Sequence, residues 1–378
     1  MYNLNEEQLE MREMFREFTE NEVAPIAIKV DEEHMFPEEN VKKMQELGFF
    51  GIPFAEEYGG NGQDTLTYVL AVEELAKACA TTSVVLSAHT SLCADCINKF
   101  GSEEQKQKYL TPLASGEALG AFALTEPDAG TDAASQKTVA VFDGDNYILN
   151  GSKVFITNAG YADTYIVFAM TDKSQGTKGI SAFIVEKDFE GFKTGTIEDK
   201  MGIKGSSTRE LIFTDCKVPK ENLLYEEGKG FKVAMTTLDG GRIGVAAQAL
   251  GIAEGALAKA TKYVKEREQF GRPIAKFQNT QFKLAEMSVE IEAARHLVYY
   301  AARLKDQGEN YTVAAATAKI KAARTAMEVT TRAVQLFGGY GYIKEYEVER
   351  MMRDAKITEI YEGTSEVMLM VISGALLR

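Results

Sequence analysis

The hydrophobic period changes twice along the chain, and that change limits the possible folds more than any other feature. From residue 1 to about 119, apolar residues recur at helical spacing. Met11, Met14, Phe15 and Phe18 form a stripe within 5–23, and Val41, Met44 and Leu47 form another that stops at Gly48. Pro25 interrupts between them, and Gly59-Gly60-Asn61-Gly62 reads as a loop. A long helix is predicted beyond it, through Val69, Val72 and Leu75. From 120 to about 228 the stripes give way to short runs rich in Val, Ile, Phe and Thr. Strands are predicted at Val139–Phe142, Tyr147–Leu149, Val154–Thr157, Tyr165–Ala169, Ile180–Val185 and Glu210–Phe213. Glycines and Asp/Asn pairs such as Asp143-Gly144-Asp145-Asn146 separate them. From about 229 to the end, helical stripes return. Ile243, Ala246, Leu250, Ala253, Leu257, Ala260 and Val264 alternate spacings of three and four, as do Ala316, Ile320, Ala323, Met327, Thr330, Val334 and Phe337. Such sustained stripes fit long helices packed in a bundle.

The expected fold is therefore mainly α with a middle β-domain. An N-terminal helical domain spans 1–119, a small β-barrel or sandwich 120–228, and a C-terminal four-helix-type bundle 229–378. A length of 378 residues suffices for two or three such domains. No run of 18 apolar residues occurs, so a membrane span is not expected. The net charge of −14 argues against general nucleic-acid binding, which needs a basic footprint. The start, Met1-Tyr-Asn-Leu-Asn-Glu-Glu, has no basic start, apolar signal core or Arg-rich pattern, so a cytoplasmic location is expected.

Motifs exclude several chemistries. No G-x-x-x-x-G-K-[ST], no G-x-G-x-x-G after a strand and no G-x-S-x-G is present. His34, His89 and His296 lie far apart and lack metal-ligand spacing, so no metal is expected. Cys93-Ala-Asp-Cys96 is formally a C-x-x-C pair. With no second pair beside it, it reads as two small residues one turn apart on a helix. Motif exclusion alone names no reaction.

Five segments together point further. They are Leu124-Thr-Glu-Pro-Asp-Ala-Gly-Thr-Asp132, Asn150-Gly-Ser-Lys-Val-Phe-Ile-Thr-Asn158, Arg267-Glu-Gln-Phe-Gly-Arg-Pro273, Gln335-Leu-Phe-Gly-Gly-Tyr-Gly-Tyr342 and Arg353-Asp-Ala-Lys-Ile-Thr-Glu-Ile-Tyr-Glu-Gly-Thr364. In order and spacing the chain resembles the acyl-CoA dehydrogenase family, and among its members the short-chain, butyryl-CoA-oxidising bacterial enzymes. The resemblance implies a helical domain, a β-barrel and a four-helix bundle, assembled as a homotetramer. It implies FAD as cofactor, an acyl-CoA as substrate and electron-transferring flavoprotein as redox partner. The implied reaction removes a proton from Cα and a hydride from Cβ of the thioester, the hydride going to flavin N5.

By the same resemblance Glu362 is the catalytic base. Some relatives carry the base near the position of Gly240 and Gly241, but Leu238-Asp239-Gly240-Gly241-Arg242 offers no Glu. A carboxylate serves as base once burial raises its pKa. The thioester oxygen needs donors for its developing charge, and the Glu362 amide is implied as one. Tyr361 and Gly363 flank it as substrate-binding positions, and a glycine permits close approach to the thioester. Phe122, Leu124 and Thr125 are implied along one side of the flavin, and Phe155, Ile156 and Thr157 along the other. Many relatives have Trp where this chain has Phe155; Phe can stack but lacks the indole donor. Thr131 matches a hydroxyl position near the pantetheine or diphosphate of CoA. Arg267, Gln269 and Phe270 match the segment that reaches the FAD of a neighbouring subunit, where a guanidinium fork suits diphosphate. Gln278, Gln335, Gly338 and Gly339 match other dinucleotide positions, and Thr364 and Glu366 its adenosine or diphosphate end. Leu238 and Arg242 match substrate positions, and Asp239 is a ligand-side or structural acid.

Two other readings compete. An acyl-CoA oxidase would pass electrons to oxygen, although such oxidases are usually longer. A non-catalytic flavin- or CoA-binding protein could keep the fold without the reaction. Retention of Glu at position 362 speaks against the second.

Overall fold

The computed structural model describes residues 4–377. Residues 1–3, on which the leader reading partly rests, and Arg378 lie outside the described residues. Helix α1 (Glu6–Phe18) begins at a capping box: Asn5 accepts from the Gln8 amide at 2.7 Å and donates its own amide to the Gln8 side chain at 3.1 Å. Helix α2 (Thr65–Ala78), capped by Asp64, is buried along almost its whole length, as is α3 (Ala80–Ser87). Helices buried on every side form a core layer.

The predicted strands appear, with changes. The runs at Tyr147–Leu149 and Val154–Thr157 belong to one strand, because Asn150-Gly151-Ser152 continues the extended chain through a bulge instead of turning. The strands are β1 (Gly120–Ala123), β2 (Val139–Phe142), β3 (Asn146–Thr157), β4 (Thr164–Met170), β5 (Ile180–Glu186), β6 (Phe192–Ile197), β7 (Thr208–Pro219) and β8 (Leu223–Leu224). They join in the order β6-β7-β3-β2-β4-β5-β8, with β1 parallel to β4 off this path. Strands β2 and β4 meet through a single pair, Val139 and Met170, so the sheet folds there. Tyr147 then packs on Phe183 at 4.9 Å and Tyr165 on Phe192 at 4.9 Å across the enclosed core. The outer faces of β1, β4 and β5 are also buried, against helices. That double burial explains their unbroken apolar runs.

The third region holds three long helices, α4 (Gly230–Glu266), α5 (Gln278–Asp306) and α6 (Thr312–Phe337), with the shorter α7 (Val348–Ile357) and α8 (Ser365–Leu376). The two stripes located α4 and α6. Helix α5 had no stripe because it buries only part of one face and leaves Phe282, Val289 and Tyr300 exposed. Helix α4 is the axis of the molecule, packed against α2, α5 and α6.

Specific polar contacts join the regions. The Asp306 carboxylate at the end of α5 accepts from the Thr65 and Leu66 amides at 2.7 and 3.3 Å, and so caps α2. Asn158 donates to the carbonyls of Val85 in α3 and Gly120 in β1, each at 3.2 Å. His89 accepts from the Gly120 amide at 3.0 Å through Nδ1, which leaves Nε2 to donate to Leu113 at 3.1 Å. Burial pushes this imidazole down to about 3, so it stays neutral. Among the described residues no helix is long and apolar enough to cross a membrane.

Glycine sets how closely α4 approaches α2. A Cβ on Gly251 would strike the Glu73 carbonyl and lie 2.7 Å from the Ala76 Cβ. Gly251→Ala is expected to destabilise by about 1–3 kcal/mol, the usual cost of overpacking a core. The check is thermal unfolding. Gly374→Ala, where a Cβ meets open space, should leave the midpoint unchanged or slightly raised.

Candidate active site

Glu362 sits in the turn between α7 and α8, with the left-handed φ of 54° that non-glycine residues seldom adopt. The turn turns its carboxylate toward α4. There the contact is possible only because residue 241 is glycine: a Cβ would collide with Glu362 Oε2. That oxygen is buried and has no hydrogen-bond partner. Burial pushes the carboxyl up to about 7, against the opposing pull of the Lys319 and Arg242 cations. A desolvated carboxylate with a free oxygen and a pKa near neutrality is equipped to take a proton. Among the described residues the Glu362 N–H has no acceptor either, so a donor stands open beside the carboxylate.

The neighbours hold this turn. Arg242 donates from Nε to the Glu362 carbonyl at 3.3 Å and pairs with Asp239 at 2.6 Å. Asp239 also accepts from the Thr312 hydroxyl at 2.7 Å through its other oxygen, so the carboxylate paired with Arg242 is itself held in place. Tyr361 donates its hydroxyl to Gln248, whose own amide donates to the Ala80 carbonyl at 2.9 Å. Lys319, fully buried in α6, donates to the Gly363 carbonyl. Gly363 has φ of 101°, and a Cβ there would lie 2.7 Å from Met368 Cε. Thr364 caps α8 by accepting from the Val367 amide, and Glu366 lies exposed in that helix's first turn.

A second group adjoins the first. Leu238 packs in one cluster with Phe122 and Leu124 at the end of β1. The Thr125 carbonyl accepts from Val154, which ties this edge to β3. At the β3 bulge Phe155 is turned outward with φ of 60° and is 63% exposed. A large aromatic held in that conformation and facing outward suits a planar ligand better than a core role. Ile156 is different: its side chain is buried in the core of the β-domain, so only its backbone can face a ligand. Thr157 is half-buried and Thr131 is exposed on the following loop.

Lys153 explains why this edge is ordered. It is fully buried, pairs with Glu126 at 2.7 Å, and also donates to the Leu124 carbonyl and to Gln136 at 3.1 and 3.0 Å. Glu126 in turn accepts from the Lys137 and Thr138 amides at 2.5 and 3.1 Å. One buried ion pair thus folds residues 124–138 onto β3.

A third group gathers elsewhere. Arg267, Gln269, Gln335, Gly338 and Gly339 line a hollow of about 500 Å³ beyond the C-terminus of α4. The Arg267 guanidinium lies over the Tyr340 ring, 5.4 Å from its centre. A Cβ on Gly338 or Gly339 would meet nothing, so the backbone there is open to a ligand. Phe270, at the tip of the Glu268–Gln269 and Arg272–Pro273 hairpin, is 94% exposed. Gln278, first residue of α5, is exposed. An outward aromatic beside backbone edges, and an Arg with open glycines, fit the ring and phosphate ends of a dinucleotide.

The sequence reading missed Gly241, Gln248, Lys319, Lys153 and Glu126. Two carried a signal. A Gly-Gly pair just ahead of a helical stripe marks a close approach, and Lys319 sits three residues after Ala316 on an apolar face. Cys93 and Cys96 are buried free thiols. Among the described residues no group of three or more His, Cys, Asp or Glu could hold a metal ion.

Known proteins match along the whole chain. The acyl-CoA dehydrogenase N-terminal, middle and C-terminal domain families match residues 5–117, 121–216 and 228–377. A short-chain specific acyl-CoA dehydrogenase of Clostridium acetobutylicum is 64% identical over 377 residues, 100% of each chain. The structure of butyryl-CoA dehydrogenase from Megasphaera elsdenii superposes with a TM-score of 0.99 at 58% identity, covering 100% of each chain. A chain solved in work on the electron transferring flavoprotein of Acidaminococcus fermentans and flavin-based electron bifurcation superposes with a TM-score of 0.99 at 63% identity, again over 100% of each.

Removing one member of a buried pair leaves the other charge uncompensated. Lys153→Met is expected to destabilise by about 3–5 kcal/mol. Adding Glu126→Leu should recover part of that loss, because the orphaned carboxylate is then gone. Thermal unfolding of the two variants checks this; a double variant no more stable than the single would refute the pairing account.

Proposed function

Because the chain belongs to the acyl-CoA dehydrogenase family, we propose that Glu362 is its catalytic base, within the three-domain frame 1–119, 120–228 and 229–378. The enzyme oxidises a short-chain acyl-CoA to the trans-2-enoyl-CoA with FAD, or runs the reduction in reverse. FAD, when bound, supplies the acceptor for the electron pair leaving Cβ. The observation that carries the assignment of Glu362 is its unpartnered, desolvated oxygen, with the carboxyl pushed up to about 7.

The chain's own residues do the rest. Glu362 takes the Cα proton, and its pKa lets it do so at neutral pH and return the proton when the direction reverses. The open Glu362 N–H stabilises the charge that develops on the thioester oxygen. Arg242, braced by Asp239, holds the Glu362 carbonyl and so steadies the turn that carries the carboxylate. Tyr361, Gly363 and Leu238 line the substrate side, and Thr131 is exposed where a CoA phosphate or pantetheine would pass. Four carbons are the acyl length that the butyryl-CoA dehydrogenase likeness supports.

Phe122, Leu124, Thr125, Phe155 and Thr157, with the Ile156 backbone, face the flavin ring. Arg267, Gln269, Phe270, Gln278, Gln335, Gly338 and Gly339 take the dinucleotide of a neighbouring subunit, with Thr364 and Glu366 near its far end. Length supports this division. Leu238, in the third turn of α4, and Arg267, just past its C-terminus, are about 44 Å apart at 1.5 Å per residue. One dinucleotide cannot reach both groups of a single chain. A homotetramer supplies the second copy, a cytoplasmic location fits a chain with no membrane-spanning helix among its described residues, and electron-transferring flavoprotein exchanges the electrons.

Anaerobic addition of butyryl-CoA to the FAD-loaded protein should bleach the flavin absorbance rapidly. Glu362→Gln should keep FAD and lose turnover by about 10²–10⁴-fold. Wild-type turnover should fall as pH drops below about 7, because the raised pKa leaves the base protonated there. Full turnover in Glu362→Gln would remove Glu362 from the mechanism.

A further inference from the structure

We propose that Lys319 is a positioning residue for the base: from α6 its buried ammonium clamps the Gly363 carbonyl, aims the Glu362 turn, and sets a positive charge beside the carboxylate without occupying it. The inference rests on the reading of Glu362 as base.

An ammonium at 0% exposure is costly to bury and needs a compensating contact. Lys319 finds a carbonyl, the oxygen of Gly363. Glu362 and Gly363 are consecutive left-handed residues, φ 54° and 101°, a conformation the surroundings must hold. Two helices hold it from different sides. Arg242 of α4 takes the Glu362 carbonyl at 3.3 Å, and Lys319 of α6 takes the next carbonyl. With both carbonyls engaged, the two peptide planes that follow Glu362 cannot rotate freely, which holds the turn that carries the carboxylate.

The charge arrangement is equally specific. Direct contact between Lys319 and Glu362 would consume the lone pair that must receive the proton, yet Oε2 remains free. Arg242 is paired with Asp239 at 2.6 Å. Glu359, on the turn, is paired with Lys356 at 2.7 Å, and Glu366 of α8 is exposed at a helix N-terminus. Tyr68 of α2 and Tyr361 are hydroxyls that burial keeps neutral. Among the described residues no carboxylate lies within ion-pair distance of Lys319, so its charge acts on Glu362 through space. Burial pushes Lys319 down to about 8 and Glu362 up to about 7, and each opposes the shift of the other.

The test compares Lys319→Met, Lys319→Gln and Lys319→Arg in the FAD-loaded enzyme. Infrared titration follows the Glu362 carboxyl band, identified by its loss in Glu362→Gln, and kcat and KM are measured across pH. Met removes charge and clamp, Gln keeps a donor but no charge, and Arg keeps both. In Met and Gln the band's midpoint should rise by about one pH unit or more, as expected on losing a nearby opposite charge. At neutral pH kcat should fall at least ~5-fold with that shift, because the ionised fraction of the base drops by that factor, with KM changed far less. Arg should restore the wild-type midpoint. If Met does not fold, Gln carries the charge test alone. An unmoved midpoint in Met or Gln, with Glu362→Gln inactive, overturns the role of Lys319 and leaves the base standing. A shifted band with Glu362→Gln fully active would instead sink the base and leave the coupling intact.

Discussion

A carboxylate pressed against a helix at a position with no side chain is the contact on which the rest of this site depends. Glu362 can reach α4 only because residue 241 is glycine. The same helix repeats the device along its length. Gly244 faces the hydroxyls of Ser87 and Tyr68, and Gly251 and Gly255 face carbonyls of α2. These absences of Cβ let α2 and α3 close on α4. A helix interior loses roughly 1 kcal/mol for each Gly in place of Ala. Close packing along a fully buried helix offsets that loss with dispersion and apolar burial.

Desolvation then governs the chemistry. Burial alone would drive the carboxyl far from its usual range, while two cations act in the opposite direction. The outcome, about 7, shows that desolvation is the larger effect and that the cations limit it. Neither cation rests on the carboxylate. Arg242 and Lys319 bond to the backbone carbonyls of Glu362 and Gly363, and Arg242 is balanced by Asp239. Fixed charges at that remove shift a carboxyl without occupying its oxygens.

The β-domain contributes an edge rather than a base. Its strands β1, β4 and β5 are buried on both faces, inward on the folded sheet and outward on the helices. The loop leaving β1 runs from Leu124 to Thr138. The buried Lys153–Glu126 pair holds it against β3, opposite the outward-facing Phe155. Asn158, His89 and Asp306 tie the three regions together with hydrogen bonds to backbone groups.

Periodicity determined the order helical, β, helical, because a buried face repeats every 3.6 residues in a helix and every second residue in a strand. It located α4 and α6, whose stripes are long, and missed α5, which buries too narrow a face to show. It split β3, since a bulged glycine reads locally like a turn. The five family-like segments named Glu362 and the ligand-side residues as an ordered set. What sequence could not display is proximity. Gly241 and Glu362 are far apart along the chain, as are Lys319 and Gly363, and only packing α4 and α6 against one turn brings each pair into contact. A pKa near 7 belongs to no residue type; it arises from the water excluded and the charges assembled when the helices close.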